Sequence, residues 1–192
     1  MRLFVGTLLS SSPQRFYDHF IKELIREHGE SLKGIPERSA HLTYAFCADA
    51  DDRAVEALLR AVKQTTGGHS SFEIGLDSPH VVSAGARPRL VCADILSGEA
   101  ALQRLIADLL STLRLACPGL PLSPSRAPHV TLARFRKQAR RSDAQAVSRS
   151  LAARPGAGVS ATDQIAHVQV VASTLTPSGP VYEVRAQVPL RA

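Results

Sequence analysis

Apolar and polar positions alternate between two periods along the chain. Residues 2–9 are rich in Leu, Phe and Val and predict a strand rather than a signal peptide, because the apolar stretch is short and no small-residue cleavage site follows. Ser12 and Pro13 then supply an N-cap and a first-turn proline. Phe16, Phe20, Ile21, Leu24 and Ile25 recur at helical spacing, and Gly29 and Gly34 end that helix. His41 to Cys47 predicts a strand. Asp51 and Asp52 open a second helix, with Val55, Leu58, Leu59 and Val62 on one face and Gly67-Gly68 as its stop. A short strand is expected over 71–77.

The same order then returns. Residues 88–96 predict a strand. Ser97 is expected to cap a helix carrying Leu102, Leu105, Ile106, Leu109, Leu110 and Leu113. A Pro-rich loop from Pro118 to Pro128 leads to a strand from His129 to Phe135, then a weaker helix near 142–153. Two strands, about 165–175 and 181–189, flank Pro177-Ser178-Gly179-Pro180, whose turn chemistry predicts a hairpin. The third elements of the two halves carry near-identical hexamers, His41-Leu-Thr-Tyr-Ala-Phe46 and His129-Val-Thr-Leu-Ala-Arg134, at a spacing of 129 − 41 = 88. A matched spacing carried by matched hexamers predicts a duplication. The expected organisation is one domain over 1–192 with pseudo-repeats of about 1–85 and 86–192.

Each hexamer reads His-x-Thr-x-Ala-x. On a strand, positions i, i+2 and i+4 share a face. His41, Thr43 and Ala45 are therefore expected on one side, with Leu42, Tyr44 and Phe46 turned to the core. His129, Thr131 and Ala133 repeat the arrangement. Two such strands across a pseudo-twofold axis would place two imidazoles and two hydroxyls around one cavity, with each Ala leaving room for a ligand. Imidazole titrates near pH 6.5, so one neutral and one protonated His form a general base and a general acid. Hydroxyl donors suit the non-bridging oxygens of a phosphate. The set fits in-line displacement at phosphorus. The near symmetry of the motifs leaves open which imidazole is the acid. Arg134 falls five residues after His129, where parity points it at the core. A charge there is costly unless paired, so the strand bends or bulges before Arg134, or the side chain turns back.

Composition narrows the partners. The 192 residues are 44% hydrophobic and 21% charged, as expected of a globular chain, and carry a net charge of +6 with a pI near 9.7. A basic surface favours polyanions, nucleic acid first among them. Arg126, Arg136, Arg140 and Arg141 surround the second motif and could form an electrostatic funnel for RNA. No apolar run reaches the roughly 20 residues of a membrane span. Cys47, Cys92 and Cys117 are odd in number, lack CxxC spacing and are expected as buried thiols of a cytoplasmic protein. His19, His28, His69, His80 and His167 have no partner at ligand spacing, and no HExxH, P-loop, GxGxxG or GxSxG occurs. No metal and no cofactor are therefore expected.

The paired motifs resemble those of the 2H phosphoesterase superfamily. Within it the chain looks like the RNA 2′,3′-cyclic phosphodiesterases, also called 2′-5′ RNA ligases. The opening Met1-Arg2-Leu3-Phe4-Val5 is similar to that family's. So are Arg87-Pro88-Arg89-Leu90-Val91 and the closing Ser173, Leu175, Gly179, Tyr182 and Pro189-Leu190. The resemblance implies an α+β, bilobal fold in which two antiparallel sheets face a central cleft with helices outside. It implies metal-independent hydrolysis of a terminal 2′,3′-cyclic phosphate to a 2′-phosphomonoester, with His41 as proton donor and His129 as proton acceptor. Thr43, Thr131 and Arg134 would hold the phosphate. The implied partner is RNA with a 2′,3′-cyclic phosphate end, or a cyclic nucleotide, bound by a monomer. Reversible 2′-5′ ligation is the same chemistry run backwards and is expected with it; action on another substrate such as 2′-5′-linked oligonucleotides, and a non-catalytic RNA-end-binding role, are the alternatives. The sequence departs from the family at Tyr44, where Leu is usual, and at Phe46-Cys47-Ala48-Asp49, where Phe-Leu-Gly is usual.

Overall fold

The computed structural model describes residues 2–47, 50–125, 127–154, 161–176 and 179–192. In chain order the elements are β1 (Arg2–Leu8), α1 (Ser11–His28), β2 (Leu32–Gly34), β3 (His41–Cys47), α2 (Asp52–Thr66), β4 (Phe72–Leu76), β5 (His80–Ala84), β6 (Arg87–Ser97), α3 (Glu99–Ala116), β7 (Leu122–Pro124), β8 (His129–Phe135), α4 (Arg141–Ala152), β9 (Ala161–Ile165), β10 (His167–Thr176) and β11 (Gly179–Pro189). The fold is α+β, as expected. The two anticipated sheets are halves of one curled antiparallel path, β11-β10-β1-β3-β8-β6-β4-β9, joined where β3 meets β8 at the single pair Leu42↔Val130. Those two residues are themselves 130 − 42 = 88 apart, the same spacing as the two motifs, so the motif strands meet at equivalent positions.

The halves exchange strands. β4 and β5, from the first half of the sequence, pair with β6 and β9, while β10 and β11 extend the sheet from β1. The short strands β2 and β7 cross reciprocally, β2 pairing with β8 and β7 with β3. Sequence periodicity does not detect β2, β7, β5 or β9. A strand of three residues contains too little alternation to register, and β7 lies inside the expected Pro-rich loop. β10 and β11 pair from His167↔Pro189 to Thr176↔Gly179, which gives the expected hairpin; Pro177 and Ser178 lie outside the described residues.

Helix starts differ from expectation twice. The N-cap of α1 is Ser10, two residues before the predicted Ser12; its backbone N–H donates to Asp163 Oδ2 at 2.8 Å. The cap of α3 is Gly98 rather than Ser97. Gly98 has φ +75°, and a Cβ there would strike the Glu73 carbonyl oxygen, so only glycine turns the chain from β6 into α3 against β4. Asp51 does cap α2, accepting from the Ala54 N–H at 2.8 Å.

The core lies between the sheet and the helices. Tyr17, Phe20, Ile21 and Leu24 of α1, Leu58 and Val62 of α2, Leu102, Leu105 and Leu109 of α3, and Val147 and Leu151 of α4 join Leu42, Tyr44, Val130 and Leu132 from the two motif strands. Burying a side chain of this kind is worth roughly 1.5–3 kcal/mol, so the core side of β3 and β8 is strongly specified. The three cysteines are buried and none is in a disulfide, as expected. Among the described residues no helix is long and apolar enough to cross a membrane.

Candidate active site

Antiparallel pairing about Leu42↔Val130 sets His41 across from Thr131 and Thr43 across from His129. Each imidazole therefore neighbours the hydroxyl of the other motif. All four residues are partly buried, on the side opposite the core-facing Leu42, Tyr44, Val130 and Leu132. The backbone orients both rings alike. His41 Nδ1 lies 2.7 Å from the Ser39 carbonyl oxygen, and His129 Nδ1 lies 2.9 Å from that of Ala127, in each case two residues upstream. A carbonyl only accepts, so Nδ1 donates in both rings and Nε2 is left to exchange protons.

Strand parity holds through the Thr of each motif and then fails. β1 pairs Val5 with Ala45 and Gly6 with Thr43, which leaves Tyr44 as the extra residue of a bulge. β6 pairs Val91 with Ala133 and Cys92 with Thr131, which leaves Leu132 extra at the equivalent place. Each bulge reverses the facing of the residues after it. Ala45 and Ala133, expected beside the His and Thr, are buried in the core. Phe46, expected in the core, is only half-buried, with the Arg2 guanidinium 5.0 Å from its ring centre. Arg134 is exposed and lines the cleft, which resolves its parity conflict in favour of the bulge.

A cavity of about 170 Å³ is lined by His41, Thr131, Arg134, Lys33, Tyr182 and Pro180, among others. Lys33 pairs directly across from Arg134, so two cations stand side by side on its rim. His129 and Thr43 lie outside this lining. A larger cavity, about 280 Å³, lies behind Gly34 and Ile35, lined by Tyr17, Ile21, Ile25 and Leu132. It contains neither motif histidine, so its size does not make it the reaction site.

The two imidazoles differ in their surroundings. Phe4 stacks on His41 with ring centres 4.6 Å apart, and Tyr182 meets the His41 ring edge-on at 4.9 Å. This burial lowers the His41 pKa below the ordinary imidazole value, and the nearby positive charges of Arg134 and His129 lower it further. Asp94 of β6 is the cross-strand neighbour of His129, whereas the apolar Leu8 holds the same position beside His41. Neither Phe4 nor Tyr182 had a role assigned from the sequence. Phe4 sits between the core residues Leu3 and Val5, where alternation on β1 puts it on the cleft face, a signal available in the pattern.

Of the arginines expected to form a funnel, Arg126 lies outside the described residues. Arg136 donates its Nε–H to the Gly29 carbonyl at 2.9 Å, and Arg140 sits at the N-cap of α4. The basic depression beside the cleft is formed by Arg87, Arg89, Arg134, Arg136 and Lys137. Three of the remaining histidines have side-chain partners. His28 Nε2 lies 2.8 Å from Ser150 Oγ, and His69 Nε2 lies 3.0 Å from Asp108 Oδ2. His80 stands with Cys92 and Asp94, a grouping the linear spacing did not reveal. Burial and the Asp94 carboxylate push the Cys92 thiol up to about 12, so it is not a nucleophile at neutral pH.

Burial also lowers the pKa of His167. Below an unfolded-state value near 6.5, the unfolded chain therefore binds protons that the folded state resists at both His41 and His167. Their contribution is complete above that pH and is lost as the pH falls through the lower folded values. Urea unfolding should show less stability at pH 5.5 than at 7.5, with a shallower dependence in His41→Asn. Equal stabilities at the two pH values would contradict this.

Comparison with known proteins agrees with the geometry. The sequence profile of the 2′-5′ RNA ligase superfamily matches residues 12–176. No curated protein matches the sequence. Among solved structures, TT0787 of Thermus thermophilus is similar with a TM-score of 0.76 at 22% identity, covering 100% of this chain and 98% of that one. Apo LigT of E. coli gives 0.73 at 18% identity with the same coverages. The ns2 PDE domain of MHV gives 0.57 at 15% identity, covering 94% of this chain and 98% of that one.

Proposed function

Because the chain belongs to the 2′-5′ RNA ligase superfamily, we propose that it hydrolyses the 2′,3′-cyclic phosphate end of RNA to a 2′-phosphomonoester. The observation that carries this reading is the seam itself. Two His-x-Thr strands meet at Leu42↔Val130 with both Nδ1 atoms held by upstream carbonyls, which leaves both Nε2 atoms available to exchange protons beside the seam. LigT of E. coli has been solved with 3′-AMP, with ATP and with NADP+, which supports a nucleotide end as the ligand.

In this reading a water oxygen attacks phosphorus in line with the P–O3′ bond. His129 Nε2 takes the water proton. The P–O3′ bond breaks and O3′ receives a proton from His41 Nε2, leaving a 3′-hydroxyl and a 2′-phosphate. The Thr43 and Thr131 hydroxyls donate to the non-bridging oxygens, and Arg134 neutralises the charge that develops there. Desolvation lowers the His41 pKa and so favours its neutral form in the free protein, which means the acid role requires substrate binding to restore the proton. The phosphodiester anion favours the protonated form in the complex. With an RNA 5′-hydroxyl in place of the water, the same proton transfers form a 2′-5′ bond, and their reversal cleaves it.

The test is turnover of an RNA oligomer ending in a 2′,3′-cyclic phosphate, beside a cyclic mononucleotide, in EDTA. A 2′-phosphate product formed without metal is the expected result. Activity lost in EDTA and restored by a divalent ion would overturn the metal-independent mechanism. Binding of the oligomer without turnover would favour the end-binding alternative.

A further inference from the structure

We propose that His80, Cys92 and Asp94 form a binding site for one borderline-soft divalent cation of the Zn2+ type, on the cleft wall one strand away from His129. The hairpin of β5 and β6 pairs His80 with Cys92, and Cys92 and Asp94 are i, i+2 on β6, so all three side chains share a face. The next strand, β8, sets Thr131 beside Cys92 and His129 beside Asp94, so that face is the cleft face. Cys92 is 2% exposed yet stands apart from the hydrophobic core, while His80 and Asp94 are about half exposed.

The donor atoms are already gathered. His80 Nε2 lies 3.7 Å from Cys92 Sγ and 3.5 Å from Asp94 Oδ2, and Cys92 Sγ lies 4.0 Å from Asp94 Oδ1. Tetrahedral zinc, with bonds of about 2.3 Å to sulfur and about 2.0 Å to nitrogen and oxygen, requires donor separations of roughly 3.3–3.6 Å. The two Asp94 separations run to different carboxylate oxygens; with one donor atom taken from each residue all three lie within 4.8 Å of one another, so shifts of up to about 1 Å, within the reach of two half-exposed side chains, close the site. One thiolate, one imidazole and one carboxylate select Zn2+ or Co2+ over Mg2+ and Ca2+, which take oxygen donors in larger number. Three protein ligands leave a fourth position open toward the cleft. On binding, the cation replaces the Cys92 thiol proton, which leaves to solvent. The cation has no step in the proposed hydrolysis, and the site stands or falls independently of that reading.

Titration of the EDTA-stripped, full-length protein with Co2+ tests it. The expected result is one equivalent bound, with a thiolate-to-cobalt charge-transfer band in the near ultraviolet that Zn2+ abolishes by displacement. Cys92→Ser should lose the band. His80→Gln and Asp94→Asn, at half-exposed positions that keep the fold intact, should each weaken binding at least about tenfold. His41→Ala should keep the band, and His80→Gln should retain basal turnover in EDTA. No band in wild type, a band that survives Cys92→Ser, or one untouched by both His80→Gln and Asp94→Asn would each overturn the proposal.

Discussion

Replacing His129 or His41 by alanine is expected to lower kcat on a 2′,3′-cyclic-phosphate RNA end by about 10²–10⁴-fold each, the usual contribution of a positioned acid or base. The double replacement should cost little more than the worse single one, because the two groups act on one proton transfer each in a shared step. The wild-type kcat/KM should be bell-shaped in pH. One limb should fall below the ordinary imidazole value, because burial against Phe4 and Tyr182 lowers the His41 pKa. Thermal melts separate lost chemistry from lost fold, a necessary control at His41, whose ring packs in that aromatic setting. Retention of a tenth or more of wild-type turnover by His129→Ala, with the fold intact, would remove it from the chemistry. A flat pH profile with chemistry rate-limiting would remove the acid–base pair.

The largest stability effect is expected at Gly6. It faces Thr43 at the bulge of β3, and a Cβ added there would overlap the Leu42 carbonyl oxygen. That oxygen belongs to backbone at the seam between the two halves, so it cannot swing aside as a side-chain tip could. Gly6→Ala should destabilise by about 3 kcal/mol, the upper part of the overpacking range. For a chain of this size that corresponds to a fall in Tm of the order of 10 °C. Activity should fall as well, since Leu42 lies between His41 and Thr43. A Tm within about 2 °C of wild type would contradict the close approach of β1 and β3.

The sequence by itself determined the α+β class, the bounds of the main helices and strands to within a few residues, and the two motifs at a spacing of 88. These are local facts. A period of 3.6 or 2 is written in adjacent residues, and a repeated motif shows in its letters. Even the conflict at Arg134 was legible, because a charge at a core-facing position demanded a break in the strand. Which break occurred was decided by the neighbours. β1 and β6 each pair one residue too few, and the resulting bulges at Tyr44 and Leu132 bury Ala45 and Ala133 while turning Phe46 and Arg134 outward.

Tertiary pairing alone decided the rest. The exchange of β2 and β7 and the Tyr182 cover on His41 join residues distant in sequence, and the meeting of His80 with Cys92 depends on the register of the β5–β6 hairpin. The two halves carry almost the same motif, so the sequence could not distinguish one imidazole from the other. The fold does so by setting His129 beside Asp94 and by desolvating His41 under Phe4 of β1 and Tyr182 of β11, a cover that exists only once strands from both halves have come together.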